Sequence, residues 1–434
     1  MIGVLIYLSF ILIVIAIYLQ KKKKNHKKSV KILEEAVESG LTEPVSLHPV
    51  IDTDQCIGCG SCVKACPESH HHVLGMINNK ASLINPTECI GHGACKAACP
   101  VDAITLVFGT ARRGVDLPVV KPTFETNVSG LYVAGELGGM GLIKNALTQG
   151  REAVEDISKN NVRGKNQFDL IIIGSGPSGF GAAFTAASEK LNYLVLEQDS
   201  LGGTVFKYPR RKLVMTQPVT VPVIGKVHFR NTTKEELLNF WNEQSQKHKL
   251  NLRFNERVES VVKDATGFTV TSTQGTYRAT NVLLSIGRRG SPRTLGVPGE
   301  DLPKVMYRLI DPEQYKGSHV LVVGGGDSAL EAAASVAEAD PTNHVILSYR
   351  SEKFQRAKPA NRQRVDAAVK KGNLEILLSS NVQQIGEDYV IIQVGKEDLR
   401  IIKNDAIIIN AGGILPDAFL KKCGIEVVTK WGTE

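Results

Sequence analysis

The chain has 434 residues, enough for about three domains with hydrophobic cores of ordinary size. Its formal net charge is +8, but six of the positive charges are lysines in one block, Lys21 to Lys28, which leaves only +2 for the remainder. This nearly neutral remainder gives no basis for nucleic-acid binding.

The first predicted element is an apolar helix. Ile2 to Leu19 is a run of 18 residues without a charge, just long enough to cross a bilayer as a helix. The lysine block follows the run and no small-residue cleavage pattern is present, so a cleaved signal peptide is disfavoured. We therefore predict a single-pass anchor in the cell membrane at residues 1–20, a basic linker at 21–48, and a catalytic part in the cytoplasm. The alternative for the apolar run is a buried core helix.

Cysteine usage points to a metal or cluster domain. Seven of the eight cysteines lie between Cys56 and Cys99, which is ligand spacing rather than a disulfide framework. Clustered thiolates suit a reducing compartment. Cys423 stands alone, and we predict that it is a small buried apolar residue.

Residues 49–108 carry two runs in one register, each ending in Cys-Pro. The ligand positions are Cys56, Cys59, Cys62 and Cys66 in the first run and Cys89, His92, Cys95 and Cys99 in the second. The first run matches the bacterial ferredoxin pattern C-x2-C-x2-C-x3-C-P. The domain therefore resembles a two-cluster bacterial ferredoxin of α+β fold. The resemblance implies one cluster on Cys56, Cys59, Cys62 and Cys99, and a second on Cys66, Cys89 and Cys95.

His92 stands where the second run should have a cysteine. It either ligates the fourth iron of a [4Fe–4S] cluster, or lies beside a [3Fe–4S] cluster, or marks a degenerate site. A neutral imidazole in place of a thiolate removes a negative charge and makes a cluster easier to reduce. A zinc site is a weaker rival, because zinc needs only four ligands. His70, His71 and His72 are predicted to form a solvated loop, and a metal role is the weaker alternative.

Residues 109–165 contain an apolar strand that ends in Gly135-Glu136, followed by a helix from about Leu142 to Ile157. This arrangement resembles the segment that completes the FAD site of thioredoxin-reductase-like flavoproteins. The resemblance implies that Glu136 contacts the ribityl and pyrophosphate region. In that family the segment comes last in the chain, so its position here predicts a circular permutation.

Residues 166–300 begin with a βαβ pattern for the ADP half of a dinucleotide. Gly174 allows the tight turn, Gly176 admits the pyrophosphate, Gly179 lets helix and strand pack closely, and Glu197 ends the second strand as an acceptor for ribose hydroxyls. The phosphates are expected at the amino end of the helix. The family resemblance assigns this site to FAD and places Gly202, Gly203 and Thr204 near the isoalloxazine.

A second βαβ pattern lies in residues 301–404. Its predicted nucleotide-binding residues are Gly324, Gly326, Asp327, Ser328, Arg350 and Arg356. The second strand ends in Ser348 rather than an acid, and arginines suit a 2′-phosphate, so NADPH is favoured. NADH remains the alternative, because Glu352 lies near the same strand end and an acid there favours the free 2′-hydroxyl of NADH. Residues 405–434 are predicted to return to the FAD domain, which makes the fold class α/β: two Rossmann-like domains preceded by the ferredoxin domain and the transmembrane helix.

The function follows from what these domains carry and lack. No cysteine lies between Cys99 and Cys423, which excludes a thiol relay beside the flavin. We predict a membrane-anchored oxidoreductase that moves electrons between NAD(P)H, FAD, the clusters and an acceptor protein or quinone. No side chain is predicted to be catalytic, and a homodimer is compatible with the sequence. The alternatives are a thioredoxin- or bacillithiol-disulfide-reductase-like enzyme with an accessory ferredoxin domain, and a non-catalytic redox sensor or assembly module.

Overall fold

The computed structural model describes residues 2–44, 47–139, 141–160, 166–210, 212–215, 219–221, 224–227, 232–288, 290, 292–354 and 357–432. These residues form two compact units. The cluster unit comprises residues 1–114, 353–358 and 430–434, and the nucleotide unit comprises residues 115–352 and 359–429.

The cluster unit begins with one long helix, Ile2–Glu38. Within the described part of the chain, no helix is both long and apolar enough to cross a membrane, so the predicted transmembrane helix is not supported. The apolar run and the lysine block lie in the same continuous helix, so the segment predicted as a basic linker from residue 21 is helical as far as Glu38.

The remainder of the cluster unit is a small α+β fold with internal symmetry. Strand His48–Ile51 pairs antiparallel with Ile104–Val107, and Leu74–Ile77 forms a hairpin with Lys80–Leu83. The helices are Ser61–Ala65 and Ala94–Ala97, and the 3-10 turns are Ser69–His71 and Pro86–Glu88. Each cysteine run has two glycines in the left-handed region, at Gly58 and Gly60 and again at Gly91 and Gly93, with φ between 72° and 77°. The two runs therefore share a backbone conformation as well as a sequence pattern.

The nucleotide unit contains a seven-stranded sheet around strand Phe168–Ile173. Its strands are Leu131–Val133, Phe168–Ile173, Tyr193–Leu196, Leu252–Arg253, Val258–Lys263, Phe268–Ser272 and Thr276–Leu284. The second half of Phe168–Ile173 is fully apolar because this central strand is buried on both faces. The associated helices are Ile143–Lys159, Pro177–Ser188 and Lys234–Lys247. Smaller elements are the strands Val115–Pro118, Leu213–Met215, Val219–Val221, Gly225–Val227 and Thr232–Thr233 and the 3-10 turn Glu136–Gly138.

Strand Leu131–Val133 enters this sheet although it precedes the Gly174 motif in the chain. It lies parallel to the second half of Thr276–Leu284, with Val282 opposite Leu131 and Leu284 opposite Val133. This is the position that the predicted circular permutation requires.

A second, parallel sheet has the strand order Val305–Met306, Ala406–Ile409, His319–Val323, His344–Ser348, Leu374–Leu377. Its helices are Asp327–Ala339 and Pro359–Lys371, and a 3-10 turn covers Pro312–Tyr315. Beside it in the chain are three antiparallel strands, Ser380–Ile385, Tyr389–Val394 and Asp398–Lys403.

The return to the first sheet starts later than predicted. Strand Ala406–Ile409 pairs with His319–Val323, so it belongs to the second sheet rather than to a return segment beginning at residue 405. Helix Asp417–Lys422 follows, and Leu420, Cys423 and Ile425 pack into the core of the first sheet. The last strand, Val427–Lys430, pairs with Val115–Pro118. Cys423 is 8% exposed, as a small buried apolar residue.

Candidate cofactor sites

The Gly174 turn has the backbone that a dinucleotide site needs. Gly174 has φ +99°, and a β-carbon there would lie 2.6 Å from the carbonyl oxygen of Ser285. A β-carbon at Gly179 would overlap the carbonyl oxygen of Gly174, which shows how closely the helix packs on the strand. Gly176, by contrast, has open space within 4 Å of its β-carbon position. The open position lies where a pyrophosphate approaches the backbone in such turns, so the loop fits the ADP half of FAD.

Glu197 stabilises this turn from the neighbouring strand. One carboxylate oxygen accepts hydrogen bonds from the Ser175 backbone N–H at 2.7 Å and from its hydroxyl at 3.0 Å. The other accepts the backbone N–H of Asp199 at 3.0 Å. Glu197 is only 5% exposed, and its second oxygen keeps capacity for a ribose hydroxyl.

Gly135 and Glu136 lie at the end of strand Leu131–Val133. Gly135 has φ +85°, its N–H donates to Gln149 Oε1 at 2.9 Å, and a β-carbon there would come within 2.8 Å of the Ser178 β-carbon. Because Ser178 belongs to the helix that follows the phosphate turn, the structure brings this segment and the Gly174 motif into one site.

Arg288 is a residue at this site that the sequence interpretation did not single out. It follows strand Thr276–Leu284, and its guanidinium donates to the Asp116 carbonyl at 3.0 Å. Burial lowers the pKa of Arg288, while the charges of Glu136, Asp116 and Asp417 act in the opposite direction. This partly buried cation at the carboxyl edge of the sheet balances the charge of Glu136 and the two neighbouring aspartates. The sequence feature that could have drawn attention to Arg288 is its position directly after Gly287, just beyond the end of a strand.

The Gly202-Gly203-Thr204 loop lies against the phosphate turn. The N–H of Gly202 donates to the Ser175 carbonyl at 3.1 Å, and a β-carbon at Gly203 would be 3.1 Å from the Gly176 α-carbon. The carbonyl of Thr204 accepts the N–H of Lys207 at 3.1 Å within the same loop. The structure thus brings Gly202 and Gly203 to Gly176.

The second βαβ motif repeats this geometry. Gly324 has φ +144°, a β-carbon at Gly326 would have open space, and Asp327 begins the helix and accepts Asn361 Nδ2 at 2.9 Å. Ser328 follows on the exposed side of that helix. These features fit the pyrophosphate of a second dinucleotide.

The end of the second strand distinguishes this site from the Gly174 site. Ser348 is fully buried, and its hydroxyl shares a 2.8 Å hydrogen bond with Ser380, so no carboxylate occupies this strand end. Arg350 is exposed two residues later. Arg356 lies outside the described residues.

The cysteines surround two separate cavities. One is lined by Cys56, Cys59, Cys62 and Cys99. The other is lined by Cys66, Cys89, Cys95 and His92. Each cavity therefore combines three positions of one run with the last cysteine of the other, which is the exchange that the ferredoxin resemblance implies. Soft thiolate ligands that line cavities of mainly apolar residues fit iron–sulfur clusters.

Burial makes ionisation of most of these thiols costly. It raises the pKa of the Cys62 and Cys89 thiols to about 11, and it also raises the pKa of Cys66 and Cys95. The more exposed Cys59 differs, because hydrogen bonds from Ser61 lower its pKa. The buried thiols need a cationic partner to ionise, and the iron of a cluster supplies that charge.

His92 lines the second cavity with its side chain 17% exposed. Its Nε2 atom lies 3.9 Å from Glu68 Oε1. His70 and His71 lie on the other side of this carboxylate, in a 3-10 turn with no buried residue, so the segment is solvated as predicted and its histidines face an acid.

Comparison with known proteins gives a consistent result. The profile of the pyridine nucleotide-disulphide oxidoreductase family matches residues 171–432, and that of the 4Fe-4S dicluster domain matches residues 48–100. Bacilliredoxin reductase Bdr of Bacillus subtilis (strain 168) is 27% identical over 272 residues, which is 61% of this chain and 83% of that protein. A ferredoxin–NADP reductase of Ignicoccus hospitalis is 27% identical over 266 residues, 60% of this chain and 82% of that protein.

Among solved structures, bacillithiol disulfide reductase Bdr of Staphylococcus aureus superimposes with a TM-score of 0.53. It is 27% identical, with 60% of this chain and 80% of that chain covered. These matches confirm the prediction of an oxidoreductase and support FAD, NADP and an iron–sulfur cluster as cofactors. The chain belongs to the pyridine nucleotide-disulphide oxidoreductase family and carries a 4Fe-4S dicluster domain ahead of the family domain.

Proposed function

We propose that this enzyme passes electrons from NADPH through FAD to two clusters of its own chain, and from there to an external one-electron acceptor. The observation that carries the proposal is that one chain combines two dinucleotide turns with two cysteine-lined cavities. When bound, FAD takes two electrons as a hydride and releases them singly, and iron–sulfur clusters carry one each.

The chain's own residues bind and orient these groups. The Gly174 and Gly324 turns hold the two pyrophosphates, and Glu197 holds the first turn in place. The only cysteine of the nucleotide unit is the buried Cys423. Since thiol–disulfide exchange needs an accessible thiolate, the electrons must leave the flavin by another route.

We propose NADPH as the donor because the exposed Arg350 follows a strand end without a carboxylate. An arginine suits a 2′-phosphate, whereas an acid at this position favours NADH. Replacing Arg350 with Ala should raise KM for NADPH by about tenfold, roughly the loss of one charge-assisted contact, and leave KM for NADH unchanged. The matched control is Arg400→Ala, at an exposed position in an antiparallel strand. Equal effects on both nucleotides would contradict the proposal.

For the second cluster we propose a [4Fe–4S] centre with His92 as the fourth ligand, since His92 lines the same cavity as Cys66, Cys89 and Cys95. The acceptor is proposed to be a redox protein or a quinone in a reducing compartment of the cell, where clustered thiols persist.

The decisive experiment is anaerobic titration of the full chain with NADPH, followed by optical and EPR spectra. We expect the flavin band to bleach and reduced-cluster signals to appear. Cys62→Ser should remove the first cluster's signal and leave flavin reduction by NADPH intact, and Cys423→Ala, which keeps a small apolar residue in the core, is the control that should change neither. If Cys62→Ser abolishes flavin reduction while FAD stays bound, the order of transfer is wrong.

A second candidate function is direct reduction of a small disulfide by the flavin. The similarity to bacilliredoxin reductase and to bacillithiol disulfide reductase favours it. NADPH consumption that depends on bacillithiol disulfide, and that persists in Cys62→Ser, would support it. A non-catalytic sensor would show no turnover with any acceptor at full cofactor loading.

A further inference from the structure

Two histidines and a carboxylate meet on one side of the second cysteine cavity. His70 Nε2 and His71 Nε2 each lie 3.8 Å from Glu68 Oε2, and the ligand atoms of the three residues all lie within 4.8 Å of one another. We propose that Glu68, His70 and His71 bind a divalent transition metal ion of the zinc class, in addition to any cluster.

The local backbone produces this arrangement. Residues Ser69–His71 form a 3-10 turn, in which side chains three positions apart are eclipsed. Glu68 and His71 have this spacing, and the His70 and His71 rings lie with centroids 4.0 Å apart. A run of consecutive histidines therefore presents two imidazoles to the acid that precedes them.

The distances suit a small cation. Tetrahedral ligands at the usual zinc–nitrogen and zinc–oxygen lengths lie about 3.4 Å from one another. The two 3.8 Å separations from the carboxylate need shifts of a few tenths of an ångström, and the two imidazoles, whose ligand atoms lie within 4.8 Å, can close the rest by rotation of exposed side chains. The His70 and His71 side chains are 66% and 41% exposed, which gives an ion access and leaves open coordination positions for water.

The two imidazoles and the carboxylate together indicate which class of metal ion would bind. Two imidazoles and one carboxylate are the ligands of many zinc sites and of non-haem iron(II) sites, and Zn²⁺ binds such a set more tightly than Fe²⁺. The hard cations Mg²⁺ and Ca²⁺ prefer oxygen ligands. Glu68 also turns its other oxygen toward His92 at 3.9 Å, so the ion would lie beside the second cavity.

The test uses the full chain with its clusters loaded and intact, with Zn²⁺ as the probe. We expect one zinc ion per chain beyond the iron, and zinc-edge X-ray absorption should show only nitrogen and oxygen neighbours, at about 2.0–2.2 Å. His70→Gln, His71→Gln and Glu68→Gln should each lower zinc affinity by at least about tenfold, as the loss of a ligand requires.

The matched control is His72→Asn. His72 adjoins the triad but is not part of it, and asparagine tolerates its left-handed backbone at φ 53°. This variant should bind zinc as the wild type does. Sulfur neighbours at about 2.3 Å would mean that zinc has entered the cysteine cavities and would overturn the proposal. Equal binding by the triad variants, or no binding by the wild type, would overturn it as well.

Discussion

The backbone of Gly150 lies directly against Ser178, so closely that a β-carbon at position 150 would overlap the Ser178 carbonyl oxygen. A matching contact lies three residues away on each helix, where a β-carbon at Gly181 would overlap the carbonyl oxygen of Leu147. Helix Ile143–Lys159, from the segment before the Gly174 motif, thereby packs backbone to backbone on helix Pro177–Ser188, which begins at the phosphate turn. The two segments belong to one compact unit despite their unusual order in the chain.

Gly150→Ala should therefore destabilise the nucleotide unit and weaken FAD retention. The added methyl group forces the helices apart at a cost of about 1–3 kcal/mol, which outweighs the gain of up to about 1 kcal/mol from alanine's helix propensity. Thermal unfolding and FAD content after gel filtration are the measurements. Gly275→Ala is the control, because a β-carbon there meets nothing closer than the Tyr277 hydroxyl at 3.4 Å and the position lies away from the phosphate turn. A Gly150→Ala protein as stable as the control would show that the helices separate freely.

Glu197→Gln should weaken FAD binding through the phosphate turn. The carboxylate accepts backbone N–H groups from Ser175 on one oxygen and Asp199 on the other, and an amide offers only one acceptor oxygen. One buried N–H loses its partner, at a cost of about 1–3 kcal/mol. The measurement is the FAD dissociation constant of the full chain, with exposed Glu259→Gln as the control. Unchanged affinity would mean that the turn holds its shape without this carboxylate.

The ligand positions in the two cysteine runs could be predicted because their spacing is local and repeated, whereas the exchange of Cys66 and Cys99 between the cavities followed only from the ferredoxin resemblance. The Gly174 and Gly324 turns could also be predicted, since each needs only a strand, three glycines and a helix in succession. The boundary at Ala406–Ile409 could not, because an apolar strand of this kind suits either sheet and only its pairing with His319–Val323 decides. Glu68 was missed for a similar reason, since a single acid carries no pattern until the turn places it beside His70, His71 and His92.

His92→Cys should lower the reduction potential of the second cluster. His92 shares its cavity with three cysteines, and replacing a neutral imidazole by a thiolate adds a negative charge beside the irons. We expect a shift on the order of 100 mV, in line with the span over which ligand charge tunes such clusters, measured by EPR-monitored potentiometry. His92→Ala should release the fourth iron and give an oxidised [3Fe–4S] signal. If the wild type already shows the [3Fe–4S] signal and His92→Ala leaves it unchanged, His92 is not a ligand of the cluster.

Lys80 should tune the first cluster from the neighbouring hairpin. Its ammonium group is partly buried and donates to the Cys56 carbonyl at 2.6 Å, which places a positive charge beside the ligand loop. Since a nearby cation favours the more negative, reduced state of a cluster, Lys80→Met should lower its potential by tens of millivolts, on the order of a weakly screened surface charge. Lys80→Arg keeps the charge and should restore most of the potential. If both variants shift it equally, the hydrogen bond rather than the charge sets the potential.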